Sequence, residues 1–126
     1  MVSVKTISRL IVIGLFTVLP LSISADTADQ EIEYLLQAVG GSDCMFIRNM
    51  RVYDGADAAS HLRLKYDNGK RYVSSAEDFI ERLATRSSWS GDDYRIRCPG
   101  ERDVTSADWL YERLSEYREV APEEGS

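Results

Sequence analysis

His61 is the only histidine in this 126-residue chain, so any imidazole chemistry must run through it. Asp57 lies four residues before it and Lys65 four after, which on a helix sets all three along one edge. Such an edge can anchor a polar site. A boundary histidine bonded to Asp57 or to a backbone carbonyl answers the same pattern, because an i, i+4 Asp–His pair is ordinary helix support. Ser87, Ser88 and Ser90 offer hydroxyls in a serine-rich turn. The chain has neither a GxSxG elbow nor an SxxK run, so a turn that closes a helix is the plainer account. Arg48, Arg95 and Arg97, gathered on or near one sheet, would hold a carboxylate or sulfate through paired N–H bonds. Trp89 and Trp109 would mark a binding surface if exposed together. DxDxDG and HExxH patterns are absent, so no calcium or zinc signature is read. No catalytic residue, metal ligand or cofactor is assigned.

The two cysteines, Cys44 and Cys98, take their meaning from the start of the chain. Lys5 and Arg9 give a positive beginning, Leu10 to Leu19 an apolar core, Pro20 a break, and Ser22 to Ala25 a short stretch of mostly small residues. That is the layout of a cleavable secretory signal peptide over residues 1–25, cut after Ser24 or Ala25. The apolar run, roughly 10 to 12 residues, is shorter than the about 20 needed to span a bilayer. No cysteine follows the cut to carry a lipid. In an oxidising compartment two cysteines are read as a disulfide. A metal pair is the alternative, but zinc wants three or four N/S ligands and the chain offers two Cys and one His without CxxC. The formal charge is −6. It becomes more negative once Lys5 and Arg9 are removed, which argues against nucleic acid or an anionic membrane as the main partner.

The elements that must position these residues are legible from periodicity and caps. Thr27 with Gln30 makes a capping box for a first helix starting near Asp29, with Ile32, Leu35, Leu36 and Val39 as its stripe and Gly40-Gly41 as its end. Cys44 to Arg48 reads as a strand. Asn49-Met50 is a candidate hairpin turn, weakened by Met50 where the second turn position prefers a positive φ. Asp54 with Asp57 caps a second helix, roughly Gly55 to Tyr66, whose buried face is Ala58, Ala59, Leu62 and Tyr66. Ser74 with Glu77 caps a third, with Ala76, Phe79, Ile80, Leu83 and Ala84 on a stripe that Ser87 interrupts; a hydroxyl there needs a partner such as the carbonyl one turn back. Tyr94 to Cys98 is the second cysteine strand. An antiparallel pairing sets Phe46 opposite Ile96 and Arg48 opposite Tyr94, with Arg95, Arg97, Met45 and Ile47 on the other face. Thr105 with Asp108 caps the last helix, whose stripe is Ala107, Leu110, Leu114 and Tyr117. Trp109 projects away from that stripe. Residues 119–126 read as an acidic, disordered tail.

The run Cys44-x-Phe46-Ile47-Arg48-Asn49, then Tyr53, then His61-Leu62-x-x-Lys65-Tyr66 resembles the domain-of-unknown-function 5329 family of small exported bacterial proteins. Ala76-Glu77-x-Phe79-Ile80, Ser87-Ser88-x-Ser90-Gly91-x-x-Tyr94, Cys98 and Trp109-Leu110 extend the match over nearly all of the mature chain. Met50 departs from it, standing where the family pattern places Gly. The resemblance implies export, one domain and pairing of the two cysteines; it carries over no activity, substrate or partner.

The expected fold is α+β: four helices with a small two- or three-stranded antiparallel sheet, in the order α-β(-β)-α-α-β-α, stapled by Cys44–Cys98. Residues 26–118 form a single domain. The expected function is that of a small non-enzymatic periplasmic binding or protein-interaction module. Its surface joins His61, Lys65 and Arg48 to Ser88, Ser90 and Trp109, and its partner is a protein or small molecule of the periplasm. The alternative is a small periplasmic hydrolase or transferase using His61. A catalytic His61 would sit in a concave pocket beside a nucleophile or carboxylate, with a perturbed pKa.

Overall fold

The computed structural model describes residues 13–15 and 23–121. Most of the leader expectation, and the tail beyond Ala121, therefore lie outside the described residues. Helix α1 runs Ile23–Gly40, ahead of strands β1 (Met45–Arg48) and β2 (Arg51–Tyr53). Helix α2 (Gly55–Gly69) follows, continued by a 3-10 turn at Lys70–Tyr72, and then α3 (Ala76–Leu83). Strands β3 (Arg95–Arg97) and β4 (Val104–Thr105) lead into α4 (Ser106–Val120). The class is α+β, with four helices and an antiparallel sheet of four strands in the order β2-β1-β3-β4. Among the described residues no helix is long and apolar enough to cross a membrane.

The core forms where the helical stripes meet. Ile32, Leu35, Leu36 and Val39 of α1 are buried against Phe79 and Ile80 of α3, Leu110 and Leu114 of α4, and Phe46 and Ile96 of the sheet. Each of these large side chains contributes roughly 1.5–3 kcal/mol on leaving water. The start of α2 is pressed onto the end of α1, so that a Cβ on Gly55 would come within 2.5 Å of the Val39 carbonyl oxygen. Only glycine fits there. The Cys44–Cys98 disulfide closes the open end of the β1–β3 pair, whose register sets Phe46 opposite Ile96 as the alternation requires.

Caps at Asp54 and Thr105 form as expected, each side chain accepting from the N–H of Asp57 and Asp108 respectively. Other boundaries differ. Helical backbone extends α1 upstream through Thr27 to Ile23, so Thr27 is no cap; Ser24, Ala25 and Asp26 contain no Gly or Pro to stop the helix. The α3 cap is Ser75, which accepts from Asp78 N–H, while Asp78 accepts in return from Ser74. The box is the expected one shifted by a residue. Helix α2 outruns Tyr66 because Asp67, Asn68 and Gly69 adopt helical geometry before the 3-10 turn. Helix α4 takes in Glu119 and Val120, two residues of the expected tail.

Helix α3 stops at Leu83, a turn before Ser87. There Thr85 Oγ1 donates to the Ile80 carbonyl at 2.6 Å and the Thr85 carbonyl accepts from Tyr94 N–H, which diverts the backbone out of the helix. Ser87 is buried, as a stripe position would be, but its hydroxyl serves the following turn. The β1–β2 hairpin does form. Asn49 (φ 49) and Met50 (φ 62) both take the positive φ that a tight two-residue hairpin turn demands. Met50 is the unusual member, since a Cβ in that region costs on the order of 1 kcal/mol.

Candidate functional site

Alternation along β1 sends Arg48 to the same inner face as Phe46, at the end of the strand where the sheet meets α2. Helix α2 presents His61 and Lys65 to that end, one turn apart. Tyr53 enters from β2 and Tyr94 from the residue before β3. Arg48 Nη1 stands 2.6 Å from both nitrogens of the His61 ring, and Nη2 donates to the Tyr53 hydroxyl at 3.1 Å. Lys65 Nζ donates to the Tyr94 hydroxyl at 3.2 Å and to the Arg86 carbonyl at 3.3 Å. The Tyr94 hydroxyl lies 3.4 Å from His61 Nε2. Both cations also lie near tyrosine rings, Arg48 4.8 Å from the Tyr53 centroid and Lys65 5.1 Å from that of Tyr94.

The electrostatics follow from what is missing. Among the described residues neither Arg48 nor Lys65 makes an ion pair, and Arg48 Nε is buried without a hydrogen-bond partner. A guanidinium only donates, so its contact with the ring favours the neutral imidazole over the imidazolium. Burial, then the charges of Arg48 and Lys65, hold its pKa below the ordinary 6.5. Burial, then Arg48, likewise lowers Lys65. Tyr53 is held below its usual value by the Arg48 hydrogen bond, and Tyr94 is raised by burial despite Arg48. Like charges held this close are tolerated only at a cost.

Two hollows share the Arg48–His61–Tyr94 wall. One, about 390 Å³, lies between the hairpin tip and the serine turn; Lys65, Asn49, Ser87, Ser88 and Trp89 complete its lining, which contains no carboxylate. The other, about 150 Å³, reaches in toward Phe46, Ala58 and Leu62, with Asp57 and Ser106 at its edge. Asn49 ties the two loops together: its amide donates to Ser87 Oγ at 3.3 Å and accepts from Ser90 Oγ at 2.5 Å. Ser87 Oγ also accepts from the backbone N–H groups of Trp89 and Ser90, which fixes the turn around Gly91 (φ 77).

Of the residues singled out from sequence, Arg48, His61 and Lys65 come together. Ser88 lines the same cleft and Ser90 braces its rim. Trp109 does not belong to it. Its side chain is 6% exposed, set edge-on to Phe46 and beneath Arg113, because the sheet supplies a second apolar neighbour for α4. Trp89, 90% exposed, is the tryptophan at the cleft, so the two do not form one surface. Of the three arginines, Arg48 and Arg95 line the smaller hollow together, but Arg95 donates to the Asp103 carbonyl at 3.4 Å and Arg97 forks onto the Asp103 carboxylate at 2.6 and 2.8 Å. His61 is bonded to Arg48 and Tyr94 and makes no hydrogen bond to Asp57. Tyr53, Tyr94 and Asn49 are site residues that composition and spacing had not nominated. The pairing that set Arg48 opposite Tyr94 was the available signal.

The fold and this cleft define a small disulfide-stapled α+β domain with unpaired cations held at one end of its sheet. The chain belongs to the family of unknown function DUF5329, which matches residues 26–118. A relative is the uncharacterized protein YfeK of Salmonella typhimurium (strain LT2), 33% identical over 85 residues, covering 66% of this chain and 71% of the relative. No solved structure matches the chain.

Proposed function

We propose that the chain is a non-enzymatic periplasmic binding module whose cleft takes a carboxylate or similar anion onto Arg48 and Lys65. The observation that carries this reading is the pair of cations turned toward one carboxylate-free hollow on a chain of net charge −6. Acidic partners are plentiful in such a chain. Leaving two cations without one sacrifices the stabilisation that ion pairing would give, and an incoming anion would restore it. The signal-peptide pattern of residues 1–25 and the Cys44–Cys98 bond support export.

The hydrolase or transferase alternative has a concave pocket and a perturbed His61 in its favour. Against it, the Arg48 guanidinium 2.6 Å from both ring nitrogens disfavours the imidazolium that a general base must become, and no serine hydroxyl is hydrogen-bonded to His61 among the described residues.

The test is an NMR titration of the disulfide-bonded mature chain with sodium acetate and sodium sulfate at constant ionic strength. Saturable shifts at Arg48, His61 and Lys65, abolished in an Arg48→Met, Lys65→Met double variant, are expected. Shifts that never saturate, or that persist in the double variant, would overturn the reading.

A further inference from the structure

The smaller hollow carries the ligand chemistry further. It shares Arg48, His61 and Tyr94 with the cleft, yet its inner wall is apolar: Phe46 and Leu62 are buried and Ala58 closes the floor. A void of its size, about 150 Å³, in an apolar setting holds a benzene ring. An apolar space directly behind an unpaired guanidinium suits one kind of molecule. Resting on the anion reading above, we propose that the ligand is an amphipathic monocarboxylate: a ring or branched aliphatic group of about benzene size seated against Phe46 and Leu62, with its carboxylate on Arg48.

Three features set that class. Arg48 Nε has no partner and Nη2 gives only one of its two N–H groups to Tyr53, so this edge of the guanidinium has donors left for the two oxygens of a carboxylate. Asp57, at the edge of the apolar hollow, repels a second negative charge there, and the other arginine of the lining, Arg95, turns its guanidinium to the Asp103 carbonyl at 3.4 Å, so a monoanion is favoured over a dianion. Few polar groups break the inner wall, so a polar group in the ring position would lose its hydrogen bonds to water without replacement. A free small acid and the C-terminal residue of a peptide with an apolar side chain share this chemistry.

The experiment compares ligands on the disulfide-bonded mature chain by NMR titration, reading the methyl signals of Leu62 and Ala58 together with His61. The ligands are acetate, toluene, phenylacetate, phenyl phosphate, and a short peptide ending in Phe as free acid or amide. Phenylacetate should bind at least tenfold tighter than acetate and should move the Leu62 methyls, which acetate leaves in place. The free-acid peptide should outbind its amide. If it also outbinds phenylacetate, the source is a chain terminus; if it does not, the source is a small acid; either result upholds the ligand class. Phenylacetate binding no tighter than acetate, toluene binding as tightly as phenylacetate, or phenyl phosphate binding tighter than phenylacetate would overturn the proposal while leaving the anion reading standing. Absence of saturable shifts with every anion would instead bring down the anion reading. Ala58→Ile should narrow the hollow and bring phenylacetate down to the level of acetate. The wild-type ligand series decides the matter even if that variant folds poorly.

Discussion

Two clusters of charge in this molecule are built on opposite plans. At the junction of α1, α3 and α4, Arg118 forks onto the buried Glu31 at 2.5 and 3.0 Å and reaches Glu77 at 2.6 Å. One cation there answers two acids. At the junction of the hairpin and α2, Arg48 and Lys65 meet a histidine and two tyrosines, and among the described residues neither makes an ion pair. Both clusters sit where helix meets core, and both draw on residues far apart in sequence. The paired one locks three helices together. In the unpaired one the donors meet only neutral acceptors, as expected of a place that waits for a charge from outside.

The two clusters hang from one frame, and the largest predicted effect tests how far each depends on it. Cys44 precedes the strand that carries Arg48, and Cys98 closes the partner strand at a sequence separation of 54. Opening a loop of that length should cost about 4 kcal/mol on the chain-entropy model. Reduction should therefore lower the melting temperature by on the order of 15 °C or more. Hydrogen exchange should rise more along β1 and β3 than along α1 and α4. An unchanged melt would mean that the bond is absent or idle.

Arg118→Met comes next. It strands Glu31, whose side chain is only 8% exposed, without its cation. Removing one member of a fully buried pair costs about 3–5 kcal/mol; since Arg118 is itself 47% exposed, about 2 kcal/mol is expected from denaturant melts. Anion titration of the cleft should be unaffected. Loss of both stability and binding would mean that the two clusters are coupled.

What sequence shows of these two regions is uneven, for physical reasons. Strand alternation placed Phe46 opposite Ile96, and the Asp54 and Thr105 caps were legible because both signals act within a few residues. Strand β4 was missed: two residues are too few to show a period. The end of α3 was hidden because Ala84 continues the apolar stripe, while Thr85 and Ser87 stop the helix through bonds to Ile80 and to the serine turn. Trp109 was misplaced because projecting a single helix knows nothing of the sheet that covers its far side. Arg48, His61 and Lys65 were each named as candidates, but the meeting of Arg48 with His61 is a strand-to-helix contact that no local pattern encodes. The Glu31–Arg118 pair, spanning 87 positions, was equally invisible.

Arg48→Met should give the mirror image of Arg118→Met. Removing an unpaired cation relieves its repulsion with Lys65 but gives up the bonds to His61 and Tyr53, so stability should change by about 1 kcal/mol or less, short of the loss in Arg118→Met. Binding of a carboxylate should weaken at least tenfold. A loss of stability comparable to that of Arg118→Met would mean that Arg48 is a structural member and that the contrast between the clusters is false.

The smallest effect is the one that separates the clusters along the pH axis. His61 is faced by Arg48 from β1, Tyr53 from β2, Tyr94 from the approach to β3, and Asp57 and Lys65 on its own helix. Its folded pKa lies below 6.5, first through burial and then through the two cations. Between those two pKa values the unfolded chain holds a proton that the folded chain lacks, so stability falls as pH drops below about 6.5 and levels off below the folded pKa. Glu77, held below 4.5 chiefly by the Arg118 hydrogen bond, gives its loss only as pH falls beneath that value. His61→Gln should erase the upper slope and leave the lower one; Arg118→Met should shrink the lower and leave the upper. Because the chain has a single histidine, its imidazole signal can be followed directly. A carboxylate bound at Arg48 cancels part of the charge that holds His61 neutral, so saturation with phenylacetate should raise the His61 midpoint, and the complex should take up protons near that pH. A midpoint already at or above 6.5 in the free protein would show that Arg48 and Lys65 do not act on His61 as unpaired charges, and the distinction between the two clusters would fail at its most local point.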